Sequence, residues 1–171
     1  MKLTGYWLYG VISGLLLSNC TSTSSLTAAN DNNLEWNKKI AVAYVHSYAI
    51  AISKALPEMK DDSAKINYIR QSIDPIRFYP DSSGYFYVYD TACVNIAHAI
   101  QKNLQGQNLY DYQDSRGTYV IRALSAMAKK GGGYVEYYWI KPGETGEKMK
   151  LGYVEPIPNT GYFIGSGVYL E

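Results

Sequence analysis

The sequence is poor in the residues that build metal centres and nucleophilic active sites. Of its 171 residues only two are cysteine and two are histidine, and the two histidines, His46 and His98, have no spacing typical of metal ligands. The chain contains neither the CxxCH motif of covalent haem attachment nor the GxSxG motif of a nucleophilic serine. These absences argue against a metalloenzyme, a haem protein and a serine hydrolase. The sequence therefore predicts no enzyme and no cofactor.

An excess of charge of one sign is also absent. The chain has 16 lysines and arginines against 15 aspartates and glutamates, and without Lys2, which belongs to a predicted signal, the balance is 15 to 15. Nucleic-acid-binding domains concentrate basic residues on one face, whereas the basic residues here are scattered along the sequence. We expect no nucleic-acid partner.

The N-terminus has an apolar run from Tyr6 to Leu17, which is too short to span a membrane and is typical of a secretory signal over residues 1–20. The run ends in LLLSNC and precedes TSTSSLTAANDNN, which resembles a bacterial lipoprotein signal with Cys20 as the lipidated residue. Asn19 stands where that signal usually has Gly, Ala or Ser, so a simple cleaved signal or an uncleaved anchor stays open. We expect export to the periplasm or cell envelope, a lipid anchor at Cys20, a flexible tether at 21–33 and one domain at 34–171. With Cys20 lipidated, Cys93 has no disulfide partner and is predicted to be a small buried hydrophobe.

Hydrophobic periodicity predicts an α+β domain. A helical stripe covers residues 34–56, and a second helix, capped by Asp62 or Ser63, ends before Pro75. Alternation with period two predicts about five strands, at residues 84–90, 93–99, 133–140, 150–157 and 161–170, with a third helix at 119–130. The short link PIPNT predicts that the last two strands form an antiparallel hairpin. The order α, α, β, β, α, β, β, β indicates an antiparallel sheet with helices on one side.

Several ordered motifs resemble the single Cache domain family, specifically its second subtype. They are IRFYPDSSGYFYVYD, IAHAIQKNLQGQNLYDYQDSRGTYVIRAL, KKGGGYVEYYWIKPG and KLGYVEPIPNTGYFIGSGVYLE, within residues 34–171. The resemblance implies an extracytoplasmic sensor with a PAS-like fold, in which a long N-terminal helix precedes an antiparallel sheet whose concave face holds a small ligand. Two features depart from the family pattern. Ala99 follows His98 where proline is common, and the first hairpin turn ends in Cys93 where the family has glycine.

The resemblance also implies a ligand and a mode of signalling. Relatives of this subtype detect short carboxylates such as acetate, propionate, pyruvate or small dicarboxylates. They usually continue into a transmembrane helix and an output domain, whereas this sequence ends at Glu171. We therefore expect it to act through a separate membrane transducer, kinase or transporter. Some relatives pair through the long first helix, so the resemblance also makes a homodimer an expectation.

Strand alternation gives the expected site a geometry. Tyr137, Trp139 and Lys141 share one face of their strand, and Tyr85 and Tyr87 share one face of theirs. If both faces line one concavity, their rings exclude water while the hydroxyl groups hydrogen-bond a carboxylate. An ammonium beside such rings needs an anionic partner, which the ligand supplies. The predicted charge partners are Lys141 and Arg77, because a guanidinium suits two-point contact with a carboxylate.

Structural interpretations of the same residues stay open. The tyrosine-rich faces could be core, Lys141 could be a solvated loop lysine, and Arg77 could pair with Asp74 or Asp81. His98 could contact the ligand or be purely structural. Two functions follow: a sensor that binds a small carboxylate, or a ligand-free structural or interaction module of the cell envelope. A stability screen with short carboxylates separates them.

Overall fold

The structure is a computed structural model that describes residues 22–170, with side chains from residue 31 onward. The predicted signal and Cys20 lie outside the described residues. Two short 3-10 turns, Leu56–Glu58 and Lys102–Leu104, accompany the regular elements. These elements are α1 (Ser22–Ala55), α2 (Asp62–Ile73), β1 (Tyr87–Asp90), β2 (Asn95–His98), α3 (Val120–Lys129), β3 (Gly133–Ile140), β4 (Glu147–Pro156) and β5 (Tyr162–Tyr169).

The five strands form one antiparallel sheet in the order β2-β1-β5-β4-β3. The predicted order of helices and strands is confirmed, and so is the hairpin between β4 and β5. Within this order β1 and β5 are neighbours although most of the domain separates them in sequence. The strand that follows the second helix thus pairs with the last strand, and both stand near the middle of the sheet.

The α+β fold with an antiparallel sheet is confirmed; helices cover both faces of the sheet, whereas the sequence analysis places them on one side. On one face, Tyr48 of α1 packs against Phe86 with ring centroids 4.5 Å apart. On the other face, the side chains of α3 meet Tyr87 and Tyr89 of β1. Side chains alternate between faces along a strand, and both Tyr87 and Val88 are buried, so each face needs its own cover. The sheet therefore has one face for α1 and another on which a cavity forms.

The first helix begins earlier than the sequence predicts. Residues 22–33, which we assign to a flexible tether from sequence, are helical and continue α1. This segment contains no proline or glycine, so nothing in it stops the helix from extending toward the N-terminus once the apolar stripe has packed. The second helix also begins slightly earlier, because the Asp61 carboxylate accepts the Ala64 N–H at 2.8 Å and serves as the N-cap.

The first hairpin turn accommodates its departure from the family pattern. The Asp90 carboxylate accepts the backbone N–H groups of Ala92 at 2.9 Å and Val94 at 2.8 Å. Cys93 has a φ of 70°, the left-handed region that glycine adopts most easily. Its side chain is buried, and burial raises the pKa of the thiol. Cys93 therefore adopts a conformation that glycine adopts most easily and adds a small buried side chain to the turn.

Substitution of Gly165 should destabilise the sheet. A Cβ atom at Gly165 would lie 2.6 Å from the ring of Tyr87 and 2.6 Å from Val154 Cγ1, both of which are buried. We expect Gly165→Ala to lower the free energy of unfolding by about 1–3 kcal/mol, the usual cost of overpacking a core. Chemical denaturation measures the effect. Gly161→Ala is the matched control, because a Cβ there meets no atom within 4 Å. Equal stability of the two variants would contradict the prediction.

Candidate functional site

A small cavity lies between the sheet and α3, and it is lined mainly by aromatic side chains. Its volume is about 10 Å³, room for roughly one water molecule. Five of the residues that the sequence analysis assigns to a ligand site line it, and Tyr89 and three α3 residues complete the wall. The full lining is Tyr85, Tyr87, Tyr89, His98, Val120, Ile121, Leu124, Tyr137 and Trp139.

Hydrogen bonds between tyrosine hydroxyl groups join the strands around this cavity. The hydroxyl oxygens of Tyr87 and Tyr137 are 3.2 Å apart, and those of Tyr85 and Tyr169 are also 3.2 Å apart. Tyr169 donates its proton to the carbonyl of Ile140 at 2.7 Å, so Tyr85 is the donor in its pair with Tyr169. Burial raises the pKa of Tyr85, Tyr87 and Tyr137, which keeps these hydroxyl groups protonated.

His98 contributes a neutral ring with a fixed tautomer. Its Nδ1 accepts the backbone N–H of Gln101 at 2.9 Å and that of Ile100 at 3.3 Å, so the ring proton resides on Nε2. Burial, together with the charges of Lys150 and Arg77, lowers the pKa of His98 to about 3. The structural role of His98 is thus shown at Nδ1, and its Nε2–H is a free donor on a ring that lines the cavity; contact with a ligand stays a prediction.

The buried cation nearest this wall is Lys150, which the sequence analysis did not select. Its side chain is 1% exposed, and Nζ lies 4.0 Å from the ring centroid of Tyr85, 4.7 Å from that of Tyr169 and 5.6 Å from that of Tyr87. No carboxylate of the described residues lies within ion-pair distance of Nζ. Burial lowers the pKa of Lys150 well below its ordinary value, while the surrounding rings favour the charged form.

A sequence signal for Lys150 exists in β4. This strand begins at Glu147, three residues before the predicted start, so Lys150 lies inside it and not at its end. Its partners in the sheet are Tyr137 of β3 and Tyr169 of β5. Alternation along the predicted strand already places Lys150 on the face of Gly152 and Val154. A lone lysine between two tyrosine-bearing strands is the pattern that could have found it.

Lys141 lies outside the cavity, so the geometric expectation from strand alternation is wrong. Strand β3 ends at Ile140, and the face assignment fails at the next residue. The Lys141 ammonium pairs with Asp81 and Glu144, each at 3.2 Å, and these carboxylates raise its pKa. The side chain lines a separate outer groove that also contains Tyr169. Lys141 therefore already has two carboxylate partners from the protein.

Arg77 makes backbone contacts and is likewise absent from the cavity wall. Its guanidinium donates to the carbonyl oxygens of Asp74 at 2.9 Å, Ile76 at 2.6 Å and Ala99 at 2.8 Å. Neither expected carboxylate partner binds it, because Lys102 pairs with Asp74 and Lys141 pairs with Asp81. Arg77 thus fastens the end of α2 to the residue that follows β2, which accounts for its position without a ligand.

The site combines apolar ring surfaces with protonated hydroxyl groups, one neutral imidazole donor and one buried ammonium. Such a set favours a small anion with apolar character, because the ammonium supplies charge and the hydroxyl groups supply directed hydrogen bonds. The Nδ1 atom of His98 accepts backbone N–H groups, so it is not free to act as a general base for a nucleophile. Among the described residues there is also no group of three side chains that could hold a metal ion. The arrangement is suited to reversible binding.

Comparisons with known proteins find related sensor domains. Residues 19–171 match the family model described as Cache domain. The sensor histidine kinase MctS of Rhizobium johnstonii is 36% identical over 111 residues, which cover 65% of this chain and 24% of the kinase. The chain therefore spans about a quarter of the length of this curated relative.

Two solved structures share the fold over nearly their whole length. A methyl-accepting chemotaxis protein from Vibrio parahaemolyticus is similar with a TM-score of 0.72 and 30% identity, over 86% of this chain and 97% of that one. A Cache chemosensory domain, solved for the structural basis of its carboxylic acid recognition, has a TM-score of 0.65 and 26% identity, over 88% of this chain and 99% of that one.

Proposed function

Because the chain belongs to the Cache domain family of extracytoplasmic sensor domains, we propose that it binds a small organic carboxylate and signals through a separate membrane partner. The observation that carries the proposal is Lys150, a fully buried lysine among three tyrosine rings with no carboxylate among the described residues to pair with it. A ligand carboxylate would provide the missing counter-charge. The carboxylic acid recognition of one structural relative supports the same ligand class.

The ligand contacts follow from the donors present. The carboxylate accepts from Lys150 and from the Nε2–H of His98. In the Tyr87–Tyr137 pair one hydroxyl proton is used between the two residues, so the other hydroxyl donates to the carboxylate, while Tyr85, whose proton goes to Tyr169, contributes its ring. Trp139, held by a 2.8 Å hydrogen bond from Nε1 to Gln101 Oε1, and Tyr137 enclose the apolar part of the ligand. Binding of a carboxylate favours the charged form of Lys150 and therefore raises the pKa of this residue. The affinity for the carboxylate should fall as the pH rises above the pKa of Lys150 in the ligand-free protein.

Binding also requires the walls to move, and this movement can carry the signal. A volume of about 10 Å³ is too small for even acetate, which has about four non-hydrogen atoms. The side chains of Ile121 and Leu124 form the helical wall of the cavity, on α3, which is not held in place by hydrogen bonds to the sheet. Tyr169, the last residue of β5, contacts Lys150 and hydrogen-bonds Tyr85. Entry of a ligand would therefore displace α3 on one side and the C-terminal end of β5 on the other.

The location and assembly of the protein are part of the same proposal. We keep a lipid anchor at Cys20, a position in the periplasm or cell envelope, and a transducer, kinase or transporter as the membrane partner. The relation to a histidine kinase and a chemotaxis receptor supports a membrane partner of this kind. The chain itself acts as a binding domain, and a homodimer through α1 is compatible with this role.

A stability screen of the full-length chain tests the proposal. Acetate, propionate, pyruvate and C4 to C6 carboxylates should raise the free energy of unfolding, by about 2.7 kcal/mol at a hundredfold excess over the dissociation constant. Because a ligand of about four non-hydrogen atoms gains at most roughly 6 kcal/mol, acetate should be tested up to millimolar concentration. Acetamide and propionamide are the matched controls, since they keep the shape and lack the charge. No stabilisation by any carboxylate would favour the ligand-free interaction module.

A further inference from the structure

Three buried polar atoms at one end of the cavity wall have no hydrogen-bond partner. They are the hydroxyl oxygen of Tyr89 and both the Nδ2 and Oδ1 atoms of Asn95, and they are the only buried side-chain nitrogen or oxygen atoms without a partner in the described part of the chain. The two residues face each other in the register of β1 and β2, and the Asn95 side chain is close enough to lower the pKa of the Tyr89 hydroxyl, yet the two groups do not meet in hydrogen-bonding geometry. Tyr89 is 1% exposed and Asn95 is fully buried.

The backbone contacts of Asn95 are complete, so only its side chain lacks partners. Its N–H donates to the carbonyl of Gln107 at 2.9 Å, and its carbonyl accepts the N–H of Gly106 at 2.7 Å. An apolar residue of similar shape would keep both backbone hydrogen bonds. Burying an unpaired side-chain amide at this position costs stability that such a residue would not lose. The combination of an unpaired amide and an unpaired hydroxyl, one of which lines the cavity, indicates a place for a polar atom from outside the protein.

This polar pair lies at the opposite end of the wall from Lys150. The ammonium is nearest to Tyr85 and more distant from Tyr87, whereas Tyr89 stacks on Phe163 at a ring distance of 5.9 Å. Two residues along a strand advance about 7 Å, so the Tyr85 and Tyr89 ends of this face are on the order of 13 Å apart. A ligand whose carboxylate meets Lys150 reaches Tyr89 and Asn95 only if it is elongated.

We propose that Tyr89 and Asn95 bind an uncharged hydroxyl group at the far end of an elongated carboxylate ligand, about four to six carbon atoms long. This inference rests on the proposed function, since it takes the carboxylate at Lys150 as given. A hydroxyl group suits the pair because it both donates to Asn95 Oδ1 and accepts from Asn95 Nδ2 or Tyr89. A second carboxylate suits it less, because the buried ammonium of Lys150, which would balance its charge, lies at the other end of the wall.

Matched pairs of ligands test the inference on the full-length chain. Butyrate, pentanoate and hexanoate are compared by calorimetry with 4-hydroxybutyrate, 5-hydroxypentanoate and 6-hydroxyhexanoate, with glutarate as a dicarboxylate. At least one hydroxy acid should bind tenfold or more tightly than its alkyl counterpart, and the chain length at which this occurs measures the distance between the two ends. In Tyr89→Phe and Asn95→Leu the ratio of the two affinities should fall to about one.

The outcomes separate the inference from the function on which it rests. If alkyl and hydroxy acids bind with equal affinity, or if the ratio is unchanged in both variants, the polar pair holds only a structural water and the inference is wrong while the carboxylate site stands. A preference for glutarate over all hydroxy acids also overturns it. If no carboxylate binds at all, the proposed function fails and the inference fails with it. Tyr89→Phe removes one oxygen and keeps the ring, so it serves even if Asn95→Leu does not fold.

Discussion

Lys150→Met should weaken carboxylate binding by roughly ten- to a hundredfold and at the same time make the ligand-free domain more stable. Binding is weakened because a charge-assisted hydrogen bond contributes about 1.5–3 kcal/mol, which corresponds to a loss of affinity of roughly ten- to a hundredfold for a ligand with few other contacts. Stability rises because methionine fills the same volume without a buried ammonium among the rings of Tyr85 and Tyr169. Replacing a buried ion pair with apolar side chains is often neutral or stabilising by about 1–4 kcal/mol, and Lys150 has no carboxylate partner among the described residues whose attraction would be lost. Calorimetry measures the first effect and chemical denaturation at pH 7 the second.

Lys141→Met is the matched control, because it makes the same substitution at the cation that the sequence favours. Its pairs with Asp81 and Glu144 are partly solvated, so their loss should cost less than about 1 kcal/mol. Carboxylate affinity should stay within about twofold of the unsubstituted protein. The reverse pattern, with binding lost in Lys141→Met and kept in Lys150→Met, would show that the ligand carboxylate pairs with Lys141, as predicted from sequence. A stable Lys150→Met that still binds carboxylates would rule out Lys150 as the counter-charge.

The contrast between these lysines shows how far strand alternation reaches. Alternation is a local property, so the sequence predicted correctly that the tyrosines of β1 and the Tyr137 and Trp139 side chains of β3 share cavity-facing sides. It failed for Lys141 because β3 ends at Ile140, as predicted, and alternation does not continue into the following loop. Lys150 was the first residue of the predicted strand, and alternation gave no sign that the strand starts at Glu147 and makes Lys150 an interior residue. A strand end is set by pairing with a neighbour, here over Ile140 and Glu147, and a single sequence contains no direct record of that pairing.

The fold also has one part that could be predicted from local sequence and one part that could not. The order of elements was predictable because caps, proline stops and changes of period are written locally, as at Pro75. The side of the sheet on which each helix packs was not, since it depends on the crossover from β2 through α3 to β3. The available clue was that Tyr87 and Val88, which point to opposite faces of β1, are both residues that favour burial. A strand that is apolar on both sides requires a covering layer on both, and both residues are buried in the structure.

The unpaired polar atoms of Tyr89 and Asn95 could not be predicted from the sequence at all. In sequence Asn95 is an ordinary polar residue in CVNIAHA, and nothing distinguishes it from a solvent-facing position. Only the tertiary fold buries it completely, because the segment that includes Gln107 covers the outer side of β2. Specificity at the far end of the ligand therefore depends on a contact between distant segments, whereas the aromatic wall depends on local alternation.

Acid should destabilise the domain through His98 well before its carboxylates are protonated. The unfolded chain binds a proton at this residue near pH 6.5, whereas the folded chain does so only near pH 3, because burial and the charges of Lys150 and Arg77 oppose it. Between these values the unfolded state holds more protons, so the free energy of unfolding falls as the pH falls. From pH 6.5 to pH 4.5 the loss should be about 2–3 kcal/mol. Denaturant unfolding measured across this range gives the slope.

His98→Asn isolates this contribution, since its amide oxygen can accept the backbone N–H groups of Ile100 and Gln101 without titrating. We expect the variant to be less stable at pH 7 because it loses the stacked ring, but to show a much shallower decline toward pH 4.5. The pKa values of Asp81 and Asp114 are lowered from their ordinary 3.8, so their protonation contributes below this window. A decline of the same size in His98→Asn would mean that His98 is protonated in the folded protein, and the Nε2–H donor that we assign to the ligand would no longer be neutral.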